Sequence, residues 1–209
     1  MDLLSDRKVL EILRSTGAMM DGHFLLSSGK HSASYIQCAK LFQFPGLAQQ
    51  VCSGLVERSR RLGHIDAVVG PALGGIIIAY ELVRALDVRG MFTEREDGEM
   101  VLRRGFKIEP GERILIAEDV VTTGRTSLEV ARVVRACGGE VAGVACVVDR
   151  MPEDKEVSLP LISATKMQIE LYEPDDCPLC RQGIPLVKPG SRKARLLTVP
   201  ETNTLKSGG

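Results

Sequence analysis

The 209-residue chain has no tryptophan, and its three tyrosines and five phenylalanines leave an aromatic content of only 4%. It also lacks net charge. Lys+Arg and Asp+Glu number 27 each, so no global field favours nucleic acid or an anionic membrane. Long apolar runs are missing, and none approaches the length that spans a bilayer. The opening Met-Asp-Leu-Leu-Ser-Asp-Arg has no basic region followed by an apolar block, so no secretory signal is read there. Six cysteines without such a signal point to a reducing, cytoplasmic setting rather than a disulfide scaffold. No internal repeat is visible. What is present is a hydrophobic content of 44%, enough for one good core, and one domain over residues 1–209 is expected.

The most informative stretch is Ile114–Thr126, Ile-Leu-Ile-Ala-Glu-Asp-Val-Val-Thr-Thr-Gly-Arg-Thr. Ile114 to Ala117 read as a buried strand, and Glu118 and Asp119 follow where that strand should leave the sheet. Thr122-Thr123-Gly124 makes a small-residue turn. Thr126-Ser127-Leu128-Glu129 fits a capping box, so a helix is expected to begin there and to stop at Gly138-Gly139. A tight turn before a helix N-terminus is an anion site, and the threonine hydroxyls add donors. Two adjacent carboxylates would repel an anion but suit vicinal hydroxyls, because each accepts two hydrogen bonds. The ligand this order implies is a sugar phosphate. The run is neither a Walker loop nor a dinucleotide fingerprint, since Gly-Lys-Ser/Thr and Gly-x-Gly-x-x-Gly are both absent.

Around this stretch the pattern alternates strands and helices. A helix is expected over Ser5–Ser15, with Val9, Leu10, Ile12 and Leu13 as its apolar face. Phe24–Leu26 and Ser34–Gln37 flank the polar turn Ser27–Lys30, a hairpin signal. Pro45–Leu62 reads as a helix burying Ala48, Val51, Cys52, Leu55 and Val56, and His64 after it should face solvent. Ala67–Gly70 is a short buried strand. It leads through Pro71-Ala72-Leu73-Gly74-Gly75 into a helix, Ile76–Leu86, that is apolar nearly all round and so expected to be buried. Met91–Thr93 is the next strand, then a charged segment Glu94–Glu99, then Met100–Gly105. Val141–Val148 is a buried strand ending in Asp149-Arg150, and Leu161–Ala164 is the last one. Cys177-Pro178-Leu179-Cys180 is half of a zinc site, with no second pair or neighbouring His in sequence to complete it. It reads as a knuckle ordering the C-terminal segment, with a zinc shared between subunits as the alternative. Lys188, Arg192, Lys193 and Arg195 read as a basic surface patch, and residues after about Thr202 as a frayed tail.

Ile114–Thr126 resembles, at every position, the phosphoribosyl-pyrophosphate (PRPP) signature of the type I phosphoribosyltransferases. Phe24, Leu26, Ser28, Gly29, Lys30 and Ser32, followed by a strand with an aromatic residue, look like the N-terminal hood of the orotate phosphoribosyltransferases. The resemblance implies an α/β fold: a Rossmann-like parallel sheet with helices on both faces, core about 40–165, and a small hood from about 1–39 and 166–200. It implies transfer of ribose 5-phosphate from PRPP to orotate, giving orotidine 5′-phosphate and pyrophosphate in pyrimidine biosynthesis. A homodimer with shared active sites is implied as well, together with Mg²⁺ held mainly by substrate rather than by protein ligands. By the same resemblance Glu118, Asp119, Val120, Val121, Thr122, Thr123, Gly124, Arg125 and Thr126 bind PRPP, with Leu73 and Gly74 at its pyrophosphate. Thr122, Arg150, Tyr35 and Ile36 contact orotate, and Arg95 and Asp119 are the catalytic candidates. The sequence departs from the family at Ser27, Leu73 and Gly74, where lysine or a Tyr-Lys pair is usual. It also has no Lys or His between Met91 and Phe106, so Arg95, Arg103 and Arg104 stand in for the family's loop cations. A purine phosphoribosyltransferase and a non-catalytic PRPP-sensing regulator are the alternatives on the same fold.

Overall fold

The computed structural model describes residues 4–155 and 157–189. The chain divides into two compact units. One holds the chain up to Met20 together with Ile36–Gln168, and the other holds Asp21–Tyr35 and the chain from Ile169 onward.

Helix α1 (Asp6–Ser15) starts where the Ser5 hydroxyl accepts the Lys8 N–H, and it buries Val9, Ile12 and Leu13. It lies in the larger unit and packs against the last strand of that unit's sheet, so the first helix is part of the core rather than of the hood. Strands β1 (Met19–Leu25) and β2 (His31–Ile36) follow. Helix α2 (Pro45–Ser59) buries Ala48, Val51, Cys52 and Leu55 as their spacing predicts, and the chain tightens into a 3-10 turn over Arg60–Leu62. Then come β3 (Ala67–Pro71), α3 (Gly74–Leu86), β4 (Arg89–Glu96), β5 (Glu99–Leu102), β6 (Arg113–Val121), α4 (Arg125–Ala136), β7 (Glu140–Asp149) and β8 (Leu161–Lys166).

These strands form one six-stranded sheet in the order β5-β4-β3-β6-β7-β8. All neighbours are parallel except β5, which pairs antiparallel with β4. From β3 the chain winds outward to β4. It then crosses to the other side of β3 as β6 and continues outward to β7 and β8. The order therefore reverses between β3 and β6. In an open parallel sheet such a reversal leaves a crevice at the strands' C-terminal ends, where ligands bind. Along β6 successive side chains alternate between faces. Ile114 and Ile116 pack with Val130, Ala131 and Val134 of α4, while Leu115 and Ala117 are fully buried on the opposite side.

Three expectations change. Strand β6 runs on to Val121, so Glu118 and Asp119 sit inside the strand and not beyond it. The capping box at Thr126 does not form. Gly124, with φ 70°, occupies the N-cap of α4, and Glu129 pairs instead with Arg95 and Arg125. The charged segment after Met91–Thr93 forms a short hairpin: Glu94–Glu96 continue β4, and Asp97-Gly98, both at positive φ, turn the chain into β5. Helix α3 is not buried all round. It hides Ile78, Ala79 and Leu82 but leaves Ile77 46% and Tyr80 63% exposed, because the sheet and α2 cover only part of its circumference.

The smaller unit is built on a three-stranded sheet, β1-β2-β9, with β9 (Leu171–Tyr172) antiparallel to β2. A 3-10 turn at Pro174–Asp176 and the short helix α5 (Pro178–Arg181) follow. Val187 closes onto β1, donating to the His23 carbonyl at 2.8 Å and accepting from Leu25 N–H at 2.9 Å. Of the basic cluster only Lys188 belongs to the described residues; Arg192, Lys193, Arg195 and the tail after Thr202 lie outside them.

Candidate active site

The two turns that leave the switch point carry the residues singled out in the sequence. After β6, Val121 is buried, Thr122 and Thr123 are exposed, and Gly124 turns the chain into α4. Gly124 is required twice over. Its φ of 70° disfavours any side chain, and a Cβ there would lie 2.8 Å from Val157 Cγ2. The Thr123 hydroxyl accepts the Arg125 N–H at 3.4 Å. The N–H groups of the first turn of α4 have no acceptor within the helix, so the turn presents donors and hydroxyls together.

After β3, Ala72 and Leu73 form the second turn, and the Ala72–Leu73 peptide is cis. The Ala72 N–H donates to the Thr93 carbonyl at 2.7 Å, tying the turn to β4. Leu73 is 84% exposed although it is apolar. Gly74 opens α3 with its backbone against the Asp119 carboxylate: a Cβ on Gly74 would stand 2.7 Å from Oδ2. Gly75 is equally confined, its Cβ position lying 2.6 Å from the Ala117 carbonyl. These glycines therefore serve close helix–sheet packing as well as leaving N–H groups at the head of α3.

The pleat of β6 sends the acidic pair apart. Glu118 lies on the α4 face, where the Ser127 hydroxyl donates to Oε1. Asp119 lies on the α3 face beside Gly74, and its Oδ1 accepts the Val120 N–H at 2.9 Å. Burial pushes the Glu118 carboxyl up to about 7, opposed by the Ser127 hydrogen bond and aided by the Asp119 charge. Burial also raises Asp119, opposed by the Val120 N–H.

Thr122 and Arg150 come together through sheet register. Val121 pairs with Asp149 across β6 and β7, so Thr122 and Arg150 are the next residues of neighbouring parallel strands. The Arg150 N–H donates to the Val121 carbonyl at 2.8 Å, and Asp149 Oδ1 takes the Met151 N–H at 2.9 Å. Arg95 lies on β4. It donates to the Gly98 carbonyl at 2.7 Å and forms an ion pair with Glu129 of α4. Burial raises the Glu129 carboxyl, but Arg95 and Arg125 together hold it below its ordinary value. Arg103 pairs with Glu96 at 2.7 Å, and Arg104 with Glu94 at 3.0 Å. Ile36 is buried in the larger unit, while Tyr35 belongs to the smaller one, its ring 5.7 Å from that of Phe24.

Sequence reasoning missed two contacts here, Ser127 on Glu118 and Gly74 on Asp119. The alternation of side chains along β6 is the signal that would have found both, had the strand been carried through the acids.

The phosphoribosyl transferase domain family matches residues 45–172. An orotate phosphoribosyltransferase of Caldanaerobacter subterraneus subsp. tengcongensis is 53% identical over 190 residues, covering 91% of this chain and 100% of that protein. That of Caldicellulosiruptor bescii is 52% identical over 184 residues, covering 88% of this chain and 96% of the relative. Among solved structures, orotate phosphoribosyltransferase from Aeropyrum pernix superposes with a TM-score of 0.64 at 25% identity, over 76% of this chain and 93% of that one.

Proposed function

The chain belongs to the phosphoribosyl transferase family, among the orotate phosphoribosyltransferases, and on that premise we propose how its residues divide the reaction. The enzyme transfers ribose 5-phosphate from PRPP to orotate in pyrimidine biosynthesis. The ribose C1–O bond to pyrophosphate breaks, a C1–N bond to the base forms, and the ring nitrogen's proton leaves to solvent. Positive charge builds on the ribose ring and negative charge on the departing pyrophosphate, so the site must stabilise both.

Thr122, Thr123, Gly124, Arg125 and Thr126 grip the 5′-phosphate with hydroxyls and first-turn N–H groups, following Val120 and Val121 out of β6. Asp119 takes a ribose hydroxyl and sits near the cationic ring. Glu118 offers Oε2 to the same ring while Ser127 holds Oε1. The backbone of Leu73 and Gly74 receives the pyrophosphate. Arg95 is the loop cation we assign to the leaving group, with Arg103 and Arg104 beside it on the hairpin. Arg150 grips the orotate carboxylate as a two-pronged donor, with Thr122 next to it. The observation that carries base specificity is the meeting of Thr122 and Arg150 just past the Val121–Asp149 register. A purine base has no carboxylate to use that arginine.

The acidic pair fits a magnesium ion carried by substrate rather than a protein cage. The two carboxylates diverge across β6, so Asp119 would add at most one oxygen to those of PRPP. Bound there, Mg²⁺ supplies neutralising charge to the pyrophosphate. We place the enzyme in the cytoplasm as a homodimer. In support, the described cysteines are all free, no described helix is long and apolar enough to cross a membrane, and α3 exposes Ile77 and Tyr80 to a second copy.

The test is a spectrophotometric assay with PRPP, Mg²⁺ and orotate, run in parallel with adenine, hypoxanthine and xanthine. Orotate consumption that requires both PRPP and Mg²⁺, with no purine turnover, is expected. Binding of PRPP without turnover of any base would defeat the proposal in favour of a sensor.

A further inference from the structure

The smaller unit has an unusual interior. Its buried side chains among the described residues are His23, Phe24, His31, Ser32 and Cys177, so three of the five are metal-ligating types. Cys180 is the fourth such residue, exposed at the edge of the group. His23 comes from β1, His31 opens β2, and the two cysteines bracket the start of α5. The four ligand atoms all lie within 4.8 Å of one another.

Three of the four N···S separations are those of a tetrahedral ion. Zn–N bonds of about 2.0–2.1 Å and Zn–S bonds of about 2.3 Å set the N···S edges near 3.6 Å and the N···N edge near 3.3 Å. Cys177 Sγ is 3.5 Å from His23 Nε2, and Cys180 Sγ is 3.8 Å from the same nitrogen and 3.4 Å from His31 Nδ1. The two inward nitrogens stand 2.9 Å apart, the distance of a shared proton, which an ion would replace and spread slightly. The tautomer of His23 is set from behind. Its Nδ1 is 2.8 Å from the Ile184 carbonyl, which only accepts, so Nδ1 carries the proton and Nε2 turns a lone pair inward.

We propose that His23, His31, Cys177 and Cys180 bind one Zn²⁺ ion that holds the smaller unit together. Two thiolates and two neutral imidazoles cancel the ion's charge, so the site is neutral when buried. Nitrogen and sulfur in a tetrahedral set of two each select zinc over magnesium or calcium, which take oxygen. There is also a need for it. The unit has on the order of forty described residues and few buried apolar side chains, a size at which a metal or disulfide usually replaces the missing core. The Cys-x-x-Cys knuckle is thereby completed within one chain, by two histidines about 150 residues away, and not by a partner subunit. The site is independent of the PRPP turns and stands whether or not the base assignment holds.

The experiment is elemental analysis of the full chain purified without chelator under reducing conditions, followed by stripping and reconstitution with Zn²⁺ or Co²⁺. About one zinc per chain is expected. The cobalt form should show the intense visible bands of a tetrahedral site with thiolate charge transfer in the near ultraviolet. Cys180→Ser and His31→Ala should lose both the metal and these bands, whereas Cys137→Ser, an exposed cysteine outside the group, should keep them. Wild-type protein that retains no zinc after reconstitution, or that carries iron alone, overturns the proposal. So does a Cys177–Cys180 disulfide as the form that persists in reducing buffer.

Discussion

A Cβ placed on Gly74 would lie 2.7 Å from Oδ2 of Asp119, so the head of α3 and the second acid of β6 leave no room for a side chain between them.

Gly74→Ala should therefore separate activity from stability. Gly74 begins a helix and its φ is not positive, so alanine costs the backbone nothing and raises helix propensity by up to about 1 kcal/mol. The same methyl pushes Asp119 aside, and a shift of about 1 Å at a reacting group can cost about 100-fold. The thermal midpoint should hold or rise while kcat/KM drops at least about tenfold. In an Asp119→Asn background the added loss should largely vanish, because the two changes act on one group. Equal losses in both backgrounds would show that Gly74 matters for another reason.

Glu118 makes stability depend on pH in an unusual direction. Its folded value of about 7 lies above the ordinary 4.5, so the folded chain holds a proton that the unfolded chain has released between these values. Stability should fall as pH rises from about 5 through about 7, by up to about 3 kcal/mol. Asp119, raised by burial as well, acts in the same sense. Glu118→Gln keeps an acceptor for Ser127 and removes the titration. It should flatten the pH profile and raise the melting temperature at about pH 8 more than at about pH 5. Parallel profiles for the two proteins would contradict this.

Arg150→Ala should raise KM for orotate by about 10- to 100-fold, the range of a charged hydrogen-bonding pair, and leave KM for PRPP nearly unchanged. Arg150→Lys should recover only part of the loss, since lysine keeps the charge without the planar fork. Steady-state kinetics with each substrate varied in turn decides it. A matching rise for PRPP would place Arg150 elsewhere in the site.

Arg95 and Glu129 offer a comparison of partners. If Arg95 serves only structural contacts, its ion pair with Glu129 and its bond to the Gly98 carbonyl, removing either residue should cost about 1 kcal/mol of stability or less and little rate. As the loop cation for pyrophosphate, Arg95→Ala should instead lower kcat about tenfold or more while Glu129→Ala does not. Thermal melts and single-turnover rates on the two variants distinguish the outcomes.

Much of this was legible locally. The apolar runs at Ile114–Ala117 and Val141–Val148, the Thr-rich turn and Gly124 state a strand, a tight turn and a helix in order. Asp149-Arg150 falls at a strand end because β-branched residues stop there. The acids were harder to place. Whether Glu118 and Asp119 face the same way depends on whether the strand continues through them, and that is settled by pairing of Val120 and Val121 with β7. Helix α3 differs from its apolar composition for a similar reason, since composition cannot say which part of an apolar helix its own chain will cover. Nothing in the local pattern around His23 and His31 links them to Cys177 and Cys180, about 150 residues on.

The sequence by itself determined the element order, the small-residue turn after β6 and the residue types of the candidate site, because each of these rests on spacing within a few residues. Tertiary structure alone decided three pairings: Asp119 with Gly74, Thr122 with Arg150, and two histidines with a distant cysteine knuckle. Sheet register and strand order bring together residues far apart in the chain, and no local pattern carries that information.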